Sequence, residues 1–287
     1  MGCSVGSVDL QALLDTALDD TSRGWLAEAR GALAERGAGH LPVLWAQLAR
    51  RLGRTRLDAS VVQDGESEVD LGAWRACDAA GLLLMVDADP DDELVLDLYL
   101  HGDLEERAIA LRCLAFRPVT PATVRLFGEM QRTNTVLHYE AGALDSNLAV
   151  RALRSGGEDA GFTRADFQRL VLKLAFLDLG LWRMFGALDE STPELAATLQ
   201  SYATEREAAN RTVWKDTCRV IGHAPVPGTA ARLLGGIEHG DDETRLAAAE
   251  GLLALGRRDL APYARERLER EPRAAIRDVL EQVASVR

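Results

Sequence analysis

Apolar residues recur along this chain at the three- and four-residue spacing of an amphipathic helix, and rarely in the strict alternation of a half-buried strand. No long run rich in Val, Ile, Thr and aromatics is present, nor an Asn-Gly or Asp-Gly turn flanked by such runs. The pattern predicts Ala/Leu-rich helices of about 10–25 residues. Loops are expected at 37–42, 57–69, 117–121, 155–163, 189–193 and 222–228. Thr120 before Pro121 and Thr192 before Pro193 each place a capping hydroxyl ahead of a proline at the first helical position. The fold class expected is all-α.

A repeat refines this expectation. His101-Gly102-Asp103-Leu104-Glu105-Glu106-Arg107 returns 138 residues later as His239-Gly240-Asp241-Asp242-Glu243-Thr244-Arg245. The same offset superposes Leu96 on Leu234, Ala110 on Ala248 and Leu114 on Leu252. Near the end, Arg273, Ala275 and Leu280 match Arg245, Ala247 and Leu252 at an offset of 28. Gly102 or Gly240 would permit the turn, and Asp103 or Asp241 would cap the following helix. Helix pairs of this kind resemble HEAT-like repeats, so the expected architecture is an α-solenoid of helical hairpins; a compact helical bundle is the alternative. The expected organisation is one all-α domain over 1–287, with N-terminal helices at 1–68, a core at 69–222 and HEAT-like repeats at 226–287.

Composition and charge remove several functions. With 33 basic against 45 acidic residues and a net charge of −12, the 287-residue chain has no general footprint for nucleic acid or an anionic membrane. Its most apolar region, 170–188, contains Lys173, Asp178 and Arg183, which argues against membrane insertion. Cys3, Cys77, Cys113 and Cys218 form no CxxC pair and fit a reducing cytoplasm. Met1-Gly2-Cys3-Ser4 lacks the Ser or Thr at position six that myristoylation requires, and acidic Asp9, Asp15, Asp19 and Asp20 spoil a secretory leader. A cytoplasmic location is expected.

Candidate chemistry lies where polar residues interrupt apolar stripes. Leu195, Leu199, Tyr202, Arg206, Ala209 and Val213 share one helical face, with Glu205 beside Arg206 and Arg211 a turn further on. A guanidinium there needs an internal ion pair, an anionic ligand, or an escape to solvent. Lys173 interrupts an apolar run whose stripe is Phe167, Leu170, Leu174 and Leu177, and needs a carboxylate or the rim. Glu140, between Leu137 and Leu144 and near Asn134, His138 and Asn147, is the expected partner of Arg206 or Lys173. One buried cluster of Glu140, Lys173 and Arg206 follows as an expectation.

These segments also carry a resemblance. Arg132-Thr133-Asn134, Tyr139-Glu140-Ala141, Asn147, Phe167-Gln168-Arg169-Leu170-Val171-Leu172-Lys173 and the run from Tyr202 to Arg211 resemble the EboA family over about 70–256. These are helical metabolite-traffic proteins of a bacterial gene cluster linked to natural-product biosynthesis and precursor export. The chain departs from the family pattern at Ser146-Asn147-Leu148, at Asn210 and at Gly81. The resemblance implies handling of a biosynthetic intermediate, with a pathway protein or membrane component as partner.

Other chemistries lack their parts. Asp19-Asp20, Asp91-Asp92-Glu93 and Asp241-Asp242-Glu243 do not form the facing carboxylate pairs of a terpene cyclase, and aromatics are only 5% of the chain. The five histidines show no metal spacing; Walker, GxGxxG and GxSxG elements are missing. No cofactor or metal is expected. Two functions remain: a non-catalytic scaffold or carrier, and a small-molecule site in which Lys173 and Arg206 hold an anion, Glu140 or Glu205 moves a proton, and Asn134 orients the guest.

Overall fold

The computed structural model describes residues 4–5, 8–64, 67–154 and 159–286, and they are mostly helical. Met1-Gly2-Cys3, Gly65 and part of the expected 155–163 loop lie outside the described residues. The chain divides into two compact units, one of 1–170 with 182–185, the other of 171–181 with 186–287. That division falls at 170, inside a helix.

The first unit contains α1 (Leu10–Ala17), α2 (Asp20–Arg36), α3 (Leu41–Trp45), α4 (Leu48–Leu52), α5 (Ala76–Ala88), α6 (Asp92–His101), α7 (Leu104–Cys113), α8 (Pro121–Gln131), α9 (Val136–Tyr139) and α10 (Leu148–Arg154). It also holds the start of α11 (Arg164–Leu177). Helix α5 is the centre: every residue from Ala76 to Met85 is buried, and α1, α2, α3, α4 and α7 pack against it. At Gly81 a Cβ would lie 2.4 Å from Ile109 Cγ2, so the glycine sets how closely α5 and α7 approach. Between α9 and α10, residues Glu140–Asp145 form a π-helical turn, a local widening often found at functional sites.

Two short antiparallel hairpins qualify the all-α expectation: β1 (Ser4–Val5) with β2 (Val8–Asp9), and β3 (Val61–Asp64) with β4 (Ser67–Asp70). The second lies in the expected 57–69 loop. Its register sets Val62 opposite Val69, whose side chain is 1% exposed, so β-branched residues pair even over so short a length.

The second unit carries the end of α11, then α12 (Pro193–Ala208), α13 (Asp216–His223), α14 (Thr229–Ile237), α15 (Asp242–Leu255), α16 (Ala261–Leu268) and α17 (Ala274–Ala284). Helix α13 packs on α12, α14 and α15, while α17 packs on α15 and α16. At Gly222 a Cβ would lie 2.3 Å from the Gly251 carbonyl oxygen, so α13 and α15 meet backbone to backbone. No described helix is long and apolar enough to cross a membrane.

The caps expected at Thr120, Thr192, Asp103 and Asp241 all form, each side chain accepting a first-turn amide N–H. The repeated arginine has a clear task. Arg107 donates to the carbonyls of Gly102 and Leu100, and Arg245 to those of His239 and Gly240, so each folds back from the fourth helical position to tie down its turn. In α17 that position belongs to Arg277, which donates to the Leu268 and Glu271 carbonyls. Arg273, matched from the sequence, is instead the N-cap residue, one helical turn earlier. Of the two glycines, only Gly102 is required by contact, since its Cβ would lie 2.6 Å from the Leu98 carbonyl oxygen; at Gly240 that space is open.

Candidate functional site

The expected cluster of Glu140, Lys173 and Arg206 takes a different form. Helix α12 ends at Ala208, so Ala209 and Val213 are not on its face, and its buried side is Leu195, Ala196, Leu199 and Ala203. Arg206 and Tyr202 sit half-buried at the edge. The Arg206 guanidinium lies over the Tyr202 ring, donates to the Tyr202 hydroxyl, and donates through Nε to the Thr212 carbonyl. It braces the turn after α12 instead of meeting a carboxylate. Lys173 is likewise half-buried, at the edge of the buried face formed by Phe167, Leu170, Val171 and Leu174; its Nζ lies 5.0 Å from the centre of the exposed Phe176 ring.

Glu140 belongs to the first unit and pairs with Arg183, at 3.2 Å. From there runs a ladder of alternating charge. Arg183 also pairs with Asp145 at 3.1 Å, and Asp145 accepts from Arg112 Nε at 2.9 Å. Arg112 reaches Asp78 at 3.4 Å, which is gripped by both arms of Arg75 at 2.9 Å; Arg75 then meets Glu105, and Glu105 meets Arg54. Asp78 and Asp145 side chains are 0% exposed, with Arg112 at 4% and Arg183 at 5%. Each buried charge touches opposite charge on both sides, the condition under which so many ions tolerate a dry interior. Burial pushes the Asp145 carboxyl up to about 6, against the pull of Arg112 and Arg183.

The ladder is uneven. At one end Arg75 and Asp78 are fully engaged; at the other, Asp145 Oδ1, Arg183 Nε and Asn147 Oδ1 are buried without a hydrogen-bond partner. Asn147 adopts φ 49°, as Asn does more readily than most residues, and donates through Nδ2 to the Phe185 carbonyl at 3.2 Å. His138 is buried, with Nε2 3.0 Å from the Leu104 carbonyl; burial lowers its pKa, and its ring packs edge-on against Tyr99. Asn134 is exposed on the turn before α9.

A cleft of about 1360 Å³ lies within the second unit. Residues of α12 and α14, the turn after α12 and Cys218 of α13 line it. Two of the expected residues, Glu205 and Arg211, line it. Arg206 and Tyr202 are not lining residues, but Arg206 fixes the carbonyl of Thr212, which lines the cleft with Asn210, where the chain turns at φ 52°. The sequence reading missed Gln200, Thr204, Glu207 and Arg232. Arg232 spans from α14 to α12, gripping Glu207 with two bonds of 2.8 and 3.1 Å and donating to the Thr204 hydroxyl at 3.0 Å. Its i+25 relation to Glu207 is invisible to helical spacing. Burial raises the Cys218 thiol to about 11, with Arg232 opposing, so that sulfur is no thiolate nucleophile near neutral pH.

Among the described residues no group of three or more His, Cys, Asp or Glu is placed to hold a metal ion. Comparison with protein-family models, curated proteins and solved structures finds no match to this chain.

Proposed function

We propose that this chain is a non-catalytic helical carrier or scaffold of the EboA type, acting in the cytoplasm on an intermediate of natural-product biosynthesis. Its helices would work as stacked HEAT-like hairpins, a reading supported by the common turn-tying role of Arg107, Arg245 and Arg277. The observation that carries the proposal is the cleft of the second unit. Over about 1360 Å³ its lining combines charged side chains, Glu205, Glu207, Arg211 and Arg232, with hydroxyls, two amides and small residues. Such a surface holds and releases an extended guest; the unactivated Cys218 thiol speaks for carriage over covalent chemistry.

The experiment fills the cleft. At Gly235 a Cβ meets nothing within 4 Å, so Gly235→Trp places a ring in open space without disturbing the core. Tagged wild type and variant are purified gently from the source organism, and the small molecules and proteins retained are compared by mass spectrometry. A pathway metabolite or enzyme held by wild type and lost from Gly235→Trp supports the proposal. Identical retention by both contradicts it.

A further inference from the structure

The pair that bridges the cleft is lopsided. The Arg232 side chain is 19% exposed, whereas the Glu207 carboxylate that holds it is 52% exposed. Arg232 lines the same cleft as the buried Cys218. The cation is therefore the deeper, fixed member, and the carboxylate the shallow one, able to swing into water at small cost. On the cleft-facing side of α14, Arg232 is flanked by Gly228 four residues before and Gly235 three residues after. Around Gly235 a Cβ would meet nothing within 4 Å, and around Gly228 only Gln200 Oε1 at 3.8 Å. These glycines do not serve tight packing, unlike Gly222 or Gly236, where a Cβ would lie 2.3 and 2.6 Å from a neighbour. Gly228 also supplies the φ of 91° at the turn into α14, whereas Gly235 meets no such need, and neither residue closes off a flank of the guanidinium.

We infer that Arg232 is the recognition residue for a small organic carboxylate with an elongated tail, and that Glu207 is the chain's own stand-in, displaced when the guest binds. The two-bond fork between Arg232 and Glu207 already displays the geometry that a guest carboxylate would adopt, a match in shape that neither an alcohol nor an amine reproduces. Val213, Val226, Pro227, Ala197 and Ala231 line the same cleft and give an aliphatic tail apolar surface beyond the head group. Thr204 Oγ1, which accepts from Arg232 and donates to the Gln200 carbonyl, holds the guanidinium in place while its carboxylate partner changes. The inference deepens the carrier reading by naming the class of guest.

The test uses the full-length protein and simple probes: hexanoate, acetate and hexan-1-ol, followed by the Nε–H resonance of Arg232 in ¹⁵N-labelled protein. Hexanoate is expected to shift that resonance saturably, about tenfold more tightly than acetate if roughly half of the extra methylenes are buried. Hexan-1-ol should leave it in place. Glu207→Gln removes the competitor and should tighten hexanoate by about 2- to 5-fold, the worth of an exposed ion pair. Arg232→Lys keeps the charge but loses the fork, and should weaken hexanoate several-fold with an unchanged melting temperature; here the readout is the methyl resonances of Val226 and Ala231. Equal response to hexanoate and hexan-1-ol, or no tightening in Glu207→Gln, overturns the inference. Such a failure alongside a Gly235→Trp variant that still loses its native guest leaves the cleft as a carrier site and removes only the carboxylate. If instead hexanoate behaves as expected but Gly235→Trp retains everything that wild type retains, the carrier reading fails while the carboxylate site stands.

Discussion

Arg112 is the middle rung of the charge ladder, and its removal tests whether burial makes that ladder indispensable. Arg112→Met keeps an unbranched chain of similar length but deletes the contact of 2.9 Å to Asp145 and that of 3.4 Å to Asp78. Asp78 retains Arg75, and Asp145 retains only Arg183, whose contact at 3.1 Å leaves Asp145 Oδ1 without a hydrogen bond. Breaking a buried pair by removing one partner costs about 3–5 kcal/mol, because the remaining charge stays in a dry site. At about 2–4 °C per kcal/mol, the melting transition of the first unit should fall by roughly 10 °C. Arg54→Ala is the control: its pair with Glu105 is made by a side chain that is 59% exposed, and its loss should cost about 0–1 kcal/mol. Urea titration of wild type and both variants at pH 7 decides the matter. A loss below about 1 kcal/mol for Arg112→Met would refute the reasoning, since it would mean that water or a moving neighbour compensates the stranded carboxylates.

The remaining expectations concern pH and close helix contacts. Asp145 is raised from its ordinary 3.8 to about 6 in the fold, so its contribution to stability is fully present below 3.8 and lost as pH rises through 6, a change of about 3 kcal/mol. Asp145→Asn should flatten that part of the stability–pH curve, measured by urea midpoints between pH 4 and 7. Glu271 behaves oppositely: burial pushes its carboxyl up, but hydrogen bonds from Arg245, Arg267 and the Arg273 amide outweigh burial and leave it at about 2. Its stabilisation is present above 4.5 and disappears as pH falls towards 2, and Glu271→Gln should remove that acid-side loss. Gly222→Ala drives a Cβ against the Gly251 carbonyl and should cost about 1–3 kcal/mol by thermal melting, whereas Gly24→Ala, with nothing within 4 Å, should be neutral or stabilising.

Much of the helical layout was legible because caps and apolar spacing are local signals. Thr120, Thr192, Asp103 and Asp241 cap the helices that their neighbours in sequence announce. Charge burial was harder to read. Lys173 and Arg206 interrupt apolar stripes, yet their long side chains carry the charge to the edge, as the flexibility of such stems allows. A short acid has no such escape. Asp78 within Ala76–Met85, where every neighbour is apolar or Gly, was the stronger sign of a buried ion, and Arg112 among Ala110, Leu111, Cys113 and Leu114 its natural counterpart. Arg183 could not be found by periodicity at all, because it sits on the short turn Leu181–Arg183 outside any α-helix. The cleft was half legible: Glu205 and Arg211 were picked for their closeness to Arg206, while Arg232 and Glu207 meet only through tertiary packing of α14 on the unit. The mismatch of Arg273 with Arg245 has a simple cause. Ala/Leu-rich helices align nearly as well one turn out of register, and only the backbone carbonyls that Arg277 reaches distinguish the two alignments.

The carrier account stands on occupancy of the cleft between α12 and α14. Hydrogen–deuterium exchange on the full-length protein, with and without the small-molecule fraction extracted from its source organism, reads that occupancy segment by segment. The account predicts slowed exchange in 204–213 and 226–236, abolished in Gly235→Trp. Protection confined to other segments, or identical protection in the variant, would contradict it.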